Sequence, residues 1–232
     1  AIYPIDLQNA LAVDGVMAAL AGQAPTDPAL LLEQLVNMEV VLQASANSLP
    51  EVDVTARLSA FLQTYGVEPA GLDRALAAAQ RGFEVWRKTS AYDRAKIMRK
   101  AADLIKERAD TIAAVLTQEQ GKPLAEARGE IVYGAGFVEF AAEQAKRVHG
   151  ETIPSPKPDA RIVVLKQPIG VVAAITPWNF PNAMITRKVS PALAVGCTVV
   201  VKPSEETPLS ALALAELAMR AGFPKGVLNI VT

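Results

Sequence analysis

Two runs in the 232-residue chain carry side chains able to do chemistry, and a third has the glycines of a possible phosphate loop. Thr176-Pro177-Trp178-Asn179-Phe180-Pro181 presents an aromatic ring and a neutral amide between prolines that stiffen the backbone around them. Lys202-Pro203-Ser204-Glu205-Glu206-Thr207 places a cation close to carboxylates. Beyond a strand end of a nucleotide-binding sheet, a carboxylate in that place accepts from both ribose hydroxyls and repels a 2′-phosphate. An ordinary strand-to-helix turn is the simpler reading of either run. Gly134-Ala135-Gly136 has the opening of a dinucleotide loop, but Glu139 stands where the third glycine is required and the surrounding pattern is helical, so it is read as helix.

Two single residues are weighed beside these runs. Cys197 is the only thiol, and it lies between a helix-ending glycine and an apolar strand, where cysteine behaves as a small inert hydrophobe. His149, the only histidine, closes a helix before Gly150 and suits that helix's negative end. One cysteine and one histidine give no metal-ligand pattern and no internal disulfide, so no metal is expected and a cytoplasmic setting is the default.

The elements that must position these groups follow from periodicity and punctuation. Residues 1 to 71 read as short helices, Leu7 to Leu20, Asp27 to Ala46 and Asp53 to Tyr65, with Leu31, Leu35, Met38 and Leu42 as a core-facing stripe. From Leu72 longer amphipathic helices follow, Leu72 to Lys88 and Ala91 to Gln120, the second opened by Ser90 and Asp93 in capping-box spacing. Gly121 stops it, and Pro123 opens a helix that runs to about His149. After a proline-rich break from Ile153 to Pro158, the pattern becomes strand-like at Ile162 to Lys166 and at Gly170 to Ile175. A helix from about Asn182 to Val195, a strand from Thr198 to Lys202, a helix from Pro208 to Ala221 and a strand from Val227 to Val231 complete a β-α-β-α-β order. Thr207 is expected to cap the Pro208 helix, and Gly222 to end it.

That alternation predicts an α/β fold: N-terminal helices followed by the first half of a doubly wound parallel sheet. Ligands of such sheets bind beyond the carboxyl ends of the strands, which is where Thr176 to Phe180 and Pro203 to Glu206 fall.

Composition narrows the classes further. At 51% hydrophobic and 20% charged, the chain is too apolar for a disordered tail. The net charge of −1 divides unevenly, with one cation and eight carboxylates in residues 1 to 71 against 22 cations and 16 carboxylates in residues 72 to 232. The basic part is interleaved with acids and has no Lys/Arg stripe broken by aromatics, which speaks against nucleic acid. No apolar run approaches the roughly 20 residues of a membrane helix, and no secretory leader is visible, so no membrane association is expected. Two segments of different origin are expected, an acidic helical one over 1–71 without a legible role and one of opposite charge balance over 72–232.

The run Ile175-Thr176-Pro177-Trp178-Asn179-Phe180-Pro181 together with Val200-Val201-Lys202-Pro203-Ser204-Glu205-Glu206-Thr207-Pro208 resembles the cofactor-binding half of the NAD(P)-dependent aldehyde dehydrogenase superfamily. The likeness extends back through Glu119-Gln120-Gly121-Lys122-Pro123 and Trp86 to about Leu72. It is strongest toward succinate-semialdehyde dehydrogenases, through Met184-Ile185-Thr186-Arg187-Lys188, Ala194-Val195-Gly196-Cys197-Thr198 and Ser210 to Leu217. The resemblance implies that Asn179 donates to the oxyanion formed when a thiolate attacks an aldehyde carbonyl. It likewise implies that Ile175, Thr176, Pro177, Trp178 and Ser204 lie along the cofactor, that Lys202 and Glu205 hold its adenosine ribose, and that Arg187 grips a distal substrate carboxylate. Without the resemblance, Arg187 reads as a surface cation on an amphipathic helix.

The implied activity is oxidation of an aldehyde with a distal carboxylate, succinate semialdehyde first, with NAD preferred to NADP and a homo-oligomer as the full-length assembly. The family's nucleophilic cysteine, base glutamate and pyrophosphate turn are expected beyond Thr232, and its N-terminal hairpin is replaced by the acidic segment. The alternative from another class is a catalytically inactive truncated or fused remnant serving as an interaction or structural module. In the family, later strands pair against the strand that starts at Gly170, so its outer edge is expected to be bare in this chain.

Overall fold

A computed structural model describes Val40–Val41 and residues 69–232. The expected helices at Leu7 to Leu20 and Asp53 to Tyr65 lie outside the described residues. Six helices are present among the described residues: α1 (Pro69–Trp86), α2 (Ala91–Glu107), α3 (Ala109–Gln120), α4 (Leu124–Ala145), α5 (Ala183–Val195) and α6 (Pro208–Ala221). The strands are β1 (Val40–Val41), β2 (Glu151–Ile153), β3 (Ile162–Val164), β4 (Val171–Ile175), β5 (Thr198–Lys202) and β6 (Leu228–Ile230).

The expected β-α-β-α-β unit is the centre of the molecule. β4 and β5 pair in parallel from Val171↔Thr198 to Ile175↔Lys202, and β5 and β6 pair in parallel from Val199↔Leu228 to Val201↔Ile230. Side chains alternate across the pleat, so a continuously apolar strand must be covered on both faces. Val172, Ala174, Val199 and Val201 enter one large core with Ile185, Val189, Leu214 and Leu217 of α5 and α6. Ala173, Ile175 and Val200 are equally buried but lie outside that core, on the face where α1 packs against β5. Thr198 Oγ1 donates to Ala79 of α1 at 3.0 Å, satisfying a hydroxyl at the buried start of β5. Helices α2, α3 and α4 form an outer layer over α5 and α6.

Several expectations are corrected. The helix read from Ala91 to Gln120 divides at Arg108 (φ −102°, ψ 12°), where no glycine or proline marks the break in sequence. The helix read to His149 ends at Ala145, which leaves His149 beyond the last turn where a helix dipole acts. Arg147 takes that role instead, its guanidinium donating to the Glu143 carbonyl at 2.8 Å. Thr207 occupies the cap position of α6, but its side chain makes no capping bond. The Glu119 carboxylate satisfies the amides of Leu209 and Ser210 at 2.7 and 2.9 Å. A strand, β2, was missed just before the proline-rich break; it pairs antiparallel with β3 from Glu151↔Val164 to Ile153↔Ile162.

Val40–Val41 falls within the run read as helix from Asp27 to Ala46, yet it is a strand. It pairs antiparallel with β4, Val40 against Ala173 and Val41 against Val172, so the edge expected to be bare carries a short strand. The reason is the same one that made the edge a hazard: unpaired N–H and C=O groups accept any extended segment, and β-branched valines favour that conformation.

Candidate active site

The two ligand runs emerge side by side at the carboxyl ends of β4 and β5. Ile175 and Lys202 are register partners, and the Thr176 N–H donates to the Lys202 carbonyl at 3.1 Å, so the pairing continues one residue into the first loop. Ile175 and Thr176 are buried, Pro177 is half-buried, and the chain then turns outward to expose Trp178, at 53%, together with Asn179 and Phe180. Thr176 Oγ1 is buried with no hydrogen-bond partner among the described residues. The Asn179 side-chain amide is exposed and makes no hydrogen bond among them, which leaves its N–H groups available to a ligand.

The second loop is built around a buried lysine. The Lys202 ammonium donates to the Pro203 carbonyl at 2.8 Å and lies 3.3 Å from Glu205 Oε2. The Glu205 side chain is 83% exposed. A hydrogen bond donated by its own backbone N–H, opposed by partial burial and assisted by Lys202, holds the Glu205 carboxyl below the usual range. It is therefore ionised at neutral pH and can accept hydrogen bonds through both oxygens. Ser204 is committed to the turn, its hydroxyl accepting from the Glu206 N–H at 3.3 Å and its carbonyl from the Thr207 N–H at 3.2 Å.

The helix that follows the first loop is fixed at both ends by distant side chains. At the start of α5, Glu130 Oε1 accepts from the N–H groups of Asn182 and Ala183 at 2.9 and 3.1 Å. At its end, Trp86 Nε1 donates to the Leu193 carbonyl at 2.9 Å and Arg94 Nε to the Ala194 carbonyl at 3.0 Å. Burial pushes the Arg94 guanidinium down from its ordinary value. Arg187 projects from the exposed face of this helix. Pro191, inside α5, lacks the N–H that would close a helical bond to the Arg187 carbonyl.

Three ionic residues of the site went unassigned in the sequence: Glu119, Lys122 and Glu130. Glu119 and Lys122 were visible only as flanks of Gly121, while Glu130 carried no local signal, because its partners are 52 and 53 residues away. The Lys122 ammonium lies 2.6 Å from Glu130 Oε2, donates to the Asn179 carbonyl at 2.9 Å and sits 3.9 Å from the centre of the Phe180 ring. Cys197 is buried just before β5 and hence at the opposite end of the sheet, about 16 Å from Lys202 at the usual rise per strand residue. No group of three His, Cys, Asp or Glu side chains that could hold a metal occurs among the described residues.

The surroundings fit a dinucleotide. An ionised exposed carboxylate beside a buried ammonium offers a ribose both an acceptor and a donor, and the paired strand ends bring that pair beside the exposed amide of the first loop. The sequence profile of the aldehyde dehydrogenase family matches residues 46–232. The chain belongs to the aldehyde dehydrogenase family. Glutarate-semialdehyde dehydrogenase of Pseudomonas aeruginosa is 60% identical over 159 residues, which are 68% of this chain and 33% of that protein. The NADP-dependent succinate-semialdehyde dehydrogenase of Escherichia coli is 60% identical over 158 residues, again 68% of this chain and 33% of the other. A crystal structure of an aldehyde dehydrogenase from Brucella melitensis superposes with a TM-score of 0.70 at 57% identity, covering 70% of this chain and 34% of that one. The chain thus spans about a third of the length of the aldehyde dehydrogenases it matches. Its parallel α/β sheet is the fold of those structures, and no helix among the described residues is long and apolar enough to cross a membrane.

Proposed function

We propose that this segment binds the coenzyme and supplies the oxyanion donor of an NAD(P)-dependent dehydrogenase acting on an aldehyde with a distal carboxylate, succinate semialdehyde or its one-carbon-longer homologue. The observation that carries the reading is the juxtaposition, at paired strand ends, of the exposed Asn179 amide and the Lys202–Glu205 pair. The names of the relatives at 60% identity support the substrate class.

Nicotinamide, when bound, supplies the acceptor for the hydride that leaves the aldehyde carbon. Lys202 and Glu205 hold the adenosine ribose, with Ile175, Thr176, Pro177, Trp178 and Ser204 along the coenzyme. The Asn179 N–H donates to the carbonyl oxygen as it gains charge. A neutral amide gains most from that bond near the transition state and buries no charge before it. Arg187, a planar fork of donors with no ion pair among the described residues, receives the distal carboxylate. NAD is preferred, because Glu205 is ionised and a 2′-phosphate would meet it at close range.

The test is NADH formation by a polypeptide of the relatives' full length carrying this segment. Turnover of succinate semialdehyde should exceed that of an uncharged aldehyde of equal length. Turnover of neither, or equal turnover of both, removes the reading.

A further inference from the structure

The turn after α3 reaches both ligand loops. Gly121 ends that helix in the left-handed region at φ 81°, and the charged residues on either side of it point to different places. Glu119 closes on the first amides of α6, directly behind the Lys202–Thr207 loop. Lys122 closes on the Asn179 carbonyl in the other loop.

The Lys122 contact is built rather than incidental. Its side chain is 9% exposed and that of Glu130 is 1% exposed, and each carries a full set of partners. One Glu130 oxygen takes the ammonium and the other takes two α5 amides, while the ammonium also takes the Asn179 carbonyl and the Phe180 ring face. A buried ion pair is weak evidence for stability, since taking two charges out of water offsets most of their attraction. Its geometry, by contrast, is specific. The bond from Lys122 reaches the Asn179 carbonyl from an element 57 residues away in the chain. A peptide with its carbonyl pinned has lost most of the freedom that would let the Asn179 side chain swing.

We propose that Lys122, itself fixed by Glu130, is a positioning residue that orients the Asn179 amide, and that the Glu119–Lys122 turn thereby braces the oxyanion loop and the ribose loop from one point. This rests on the reading of Asn179 given above, but its first test does not.

In the 232-residue chain, Trp178 is the exposed one of two tryptophans, because Trp86 is fully buried. Iodide quenching and nanosecond anisotropy of the fluorescence therefore report the loop. Lys122→Met should roughly double the fast anisotropy amplitude and raise quenching, and Lys122→Arg should restore much of the order because it can still donate to the carbonyl. Lys122→Met with Glu130→Gln is the control for folding. Removing both charges should recover melting temperature relative to Lys122→Met alone, yet leave the loop mobile.

In a full-length enzyme carrying the segment, Lys122→Met should lower kcat by about tenfold to a hundredfold, the range expected of a misplaced reacting group, with KM for the aldehyde nearly unchanged. Unchanged Trp178 mobility in both Lys122→Met proteins, or a rise in KM at constant kcat, would overturn the proposal. An ordered loop in Lys122→Met alongside loss of turnover in Asn179→Ala would sink the brace and leave the functional reading standing. A mobile loop in an enzyme that turns nothing over would do the reverse.

Discussion

In the function proposed above, Glu205 and Arg187 are the residues whose charges discriminate between ligands. Because the Glu205 carboxyl is held below its usual range and is largely exposed, its own charge does not vary near neutral pH. In the full-length enzyme, Glu205→Ser should lower the ratio of NAD to NADP kcat/KM by about tenfold or more, the size of one lost charge-assisted interaction. Titration of both coenzymes measures it, and an unchanged ratio would take Glu205 out of the ribose site. Arg187→Ala should weaken succinate semialdehyde by about 1.5 to 3 kcal/mol, roughly ten- to a hundredfold, and leave an uncharged aldehyde of equal length nearly untouched. Comparing KM for the two aldehydes checks this, and equal losses would mean that Arg187 is only a surface cation. Glu205 stood out in the sequence through its own contiguous run, whereas Arg187 was singled out only by the family resemblance of the run around it. The charges that hold the loops did not stand out, since Glu130 and Lys122 find their meaning in partners more than 50 residues away.

At the scale of the element, the glycines of α4 separate two uses of the same residue. A methyl group at Gly134 would lie 2.3 Å from Asn182 Oδ1 and 3.0 Å from Thr186 Oγ1, whereas nothing lies within 4 Å of one at Gly129. Gly134 thus lets α4 approach α5 closely where Asn182 is fully buried, and Gly129 is a dispensable flexible point on the exposed side. Gly134→Ala should cost about 1 to 3 kcal/mol by overpacking, and Gly129→Ala should add about 0.5 to 1 kcal/mol by restraining the unfolded chain. Urea melts of the two proteins decide it, and equal shifts would refute the close approach. The helix ends marked by glycine or proline were legible: Gly121, Gly196 and Gly222 all terminate helices in the left-handed region, and Pro208 starts α6. The ends set by tertiary partners were not. Thr207 has the right residue type for a cap, but a carboxylate from α3 reached the amides instead. The division at Arg108 likewise leaves no mark in a sequence that is helix-favouring on both sides.

For the whole molecule, α2, α3 and α4 share the apolar core with the sheet, and charge adds a second tie on their exposed side, which is where pH should act. Arg99 bridges Glu139 and Glu143, and Lys106 meets Glu139 at 2.6 Å, tying α2 to α4. Hydrogen bonds from Lys106 and Arg99 hold the Glu139 and Glu143 carboxyls, respectively, below their usual range. For depressed carboxyls, the contribution to stability is complete above the unfolded value, about 4.3, and disappears as pH falls through the lower folded value. The difference in melting temperature between the native chain and Arg99→Met should therefore be present at pH 7 and shrink below about pH 4, and it should shrink in high salt as well. A difference that stays constant down to pH 3 would mean that the bridge contributes nothing. The sheet beneath answers to another probe. Cys197 is the only sulfhydryl among 232 residues and is 2% exposed where β5 begins. An alkylating reagent can reach it only when the packing at the start of β5 opens, Arg94 of α2 beside Gly196 included, so the rate of thiol modification is a stopwatch on opening of the core at that end of the sheet.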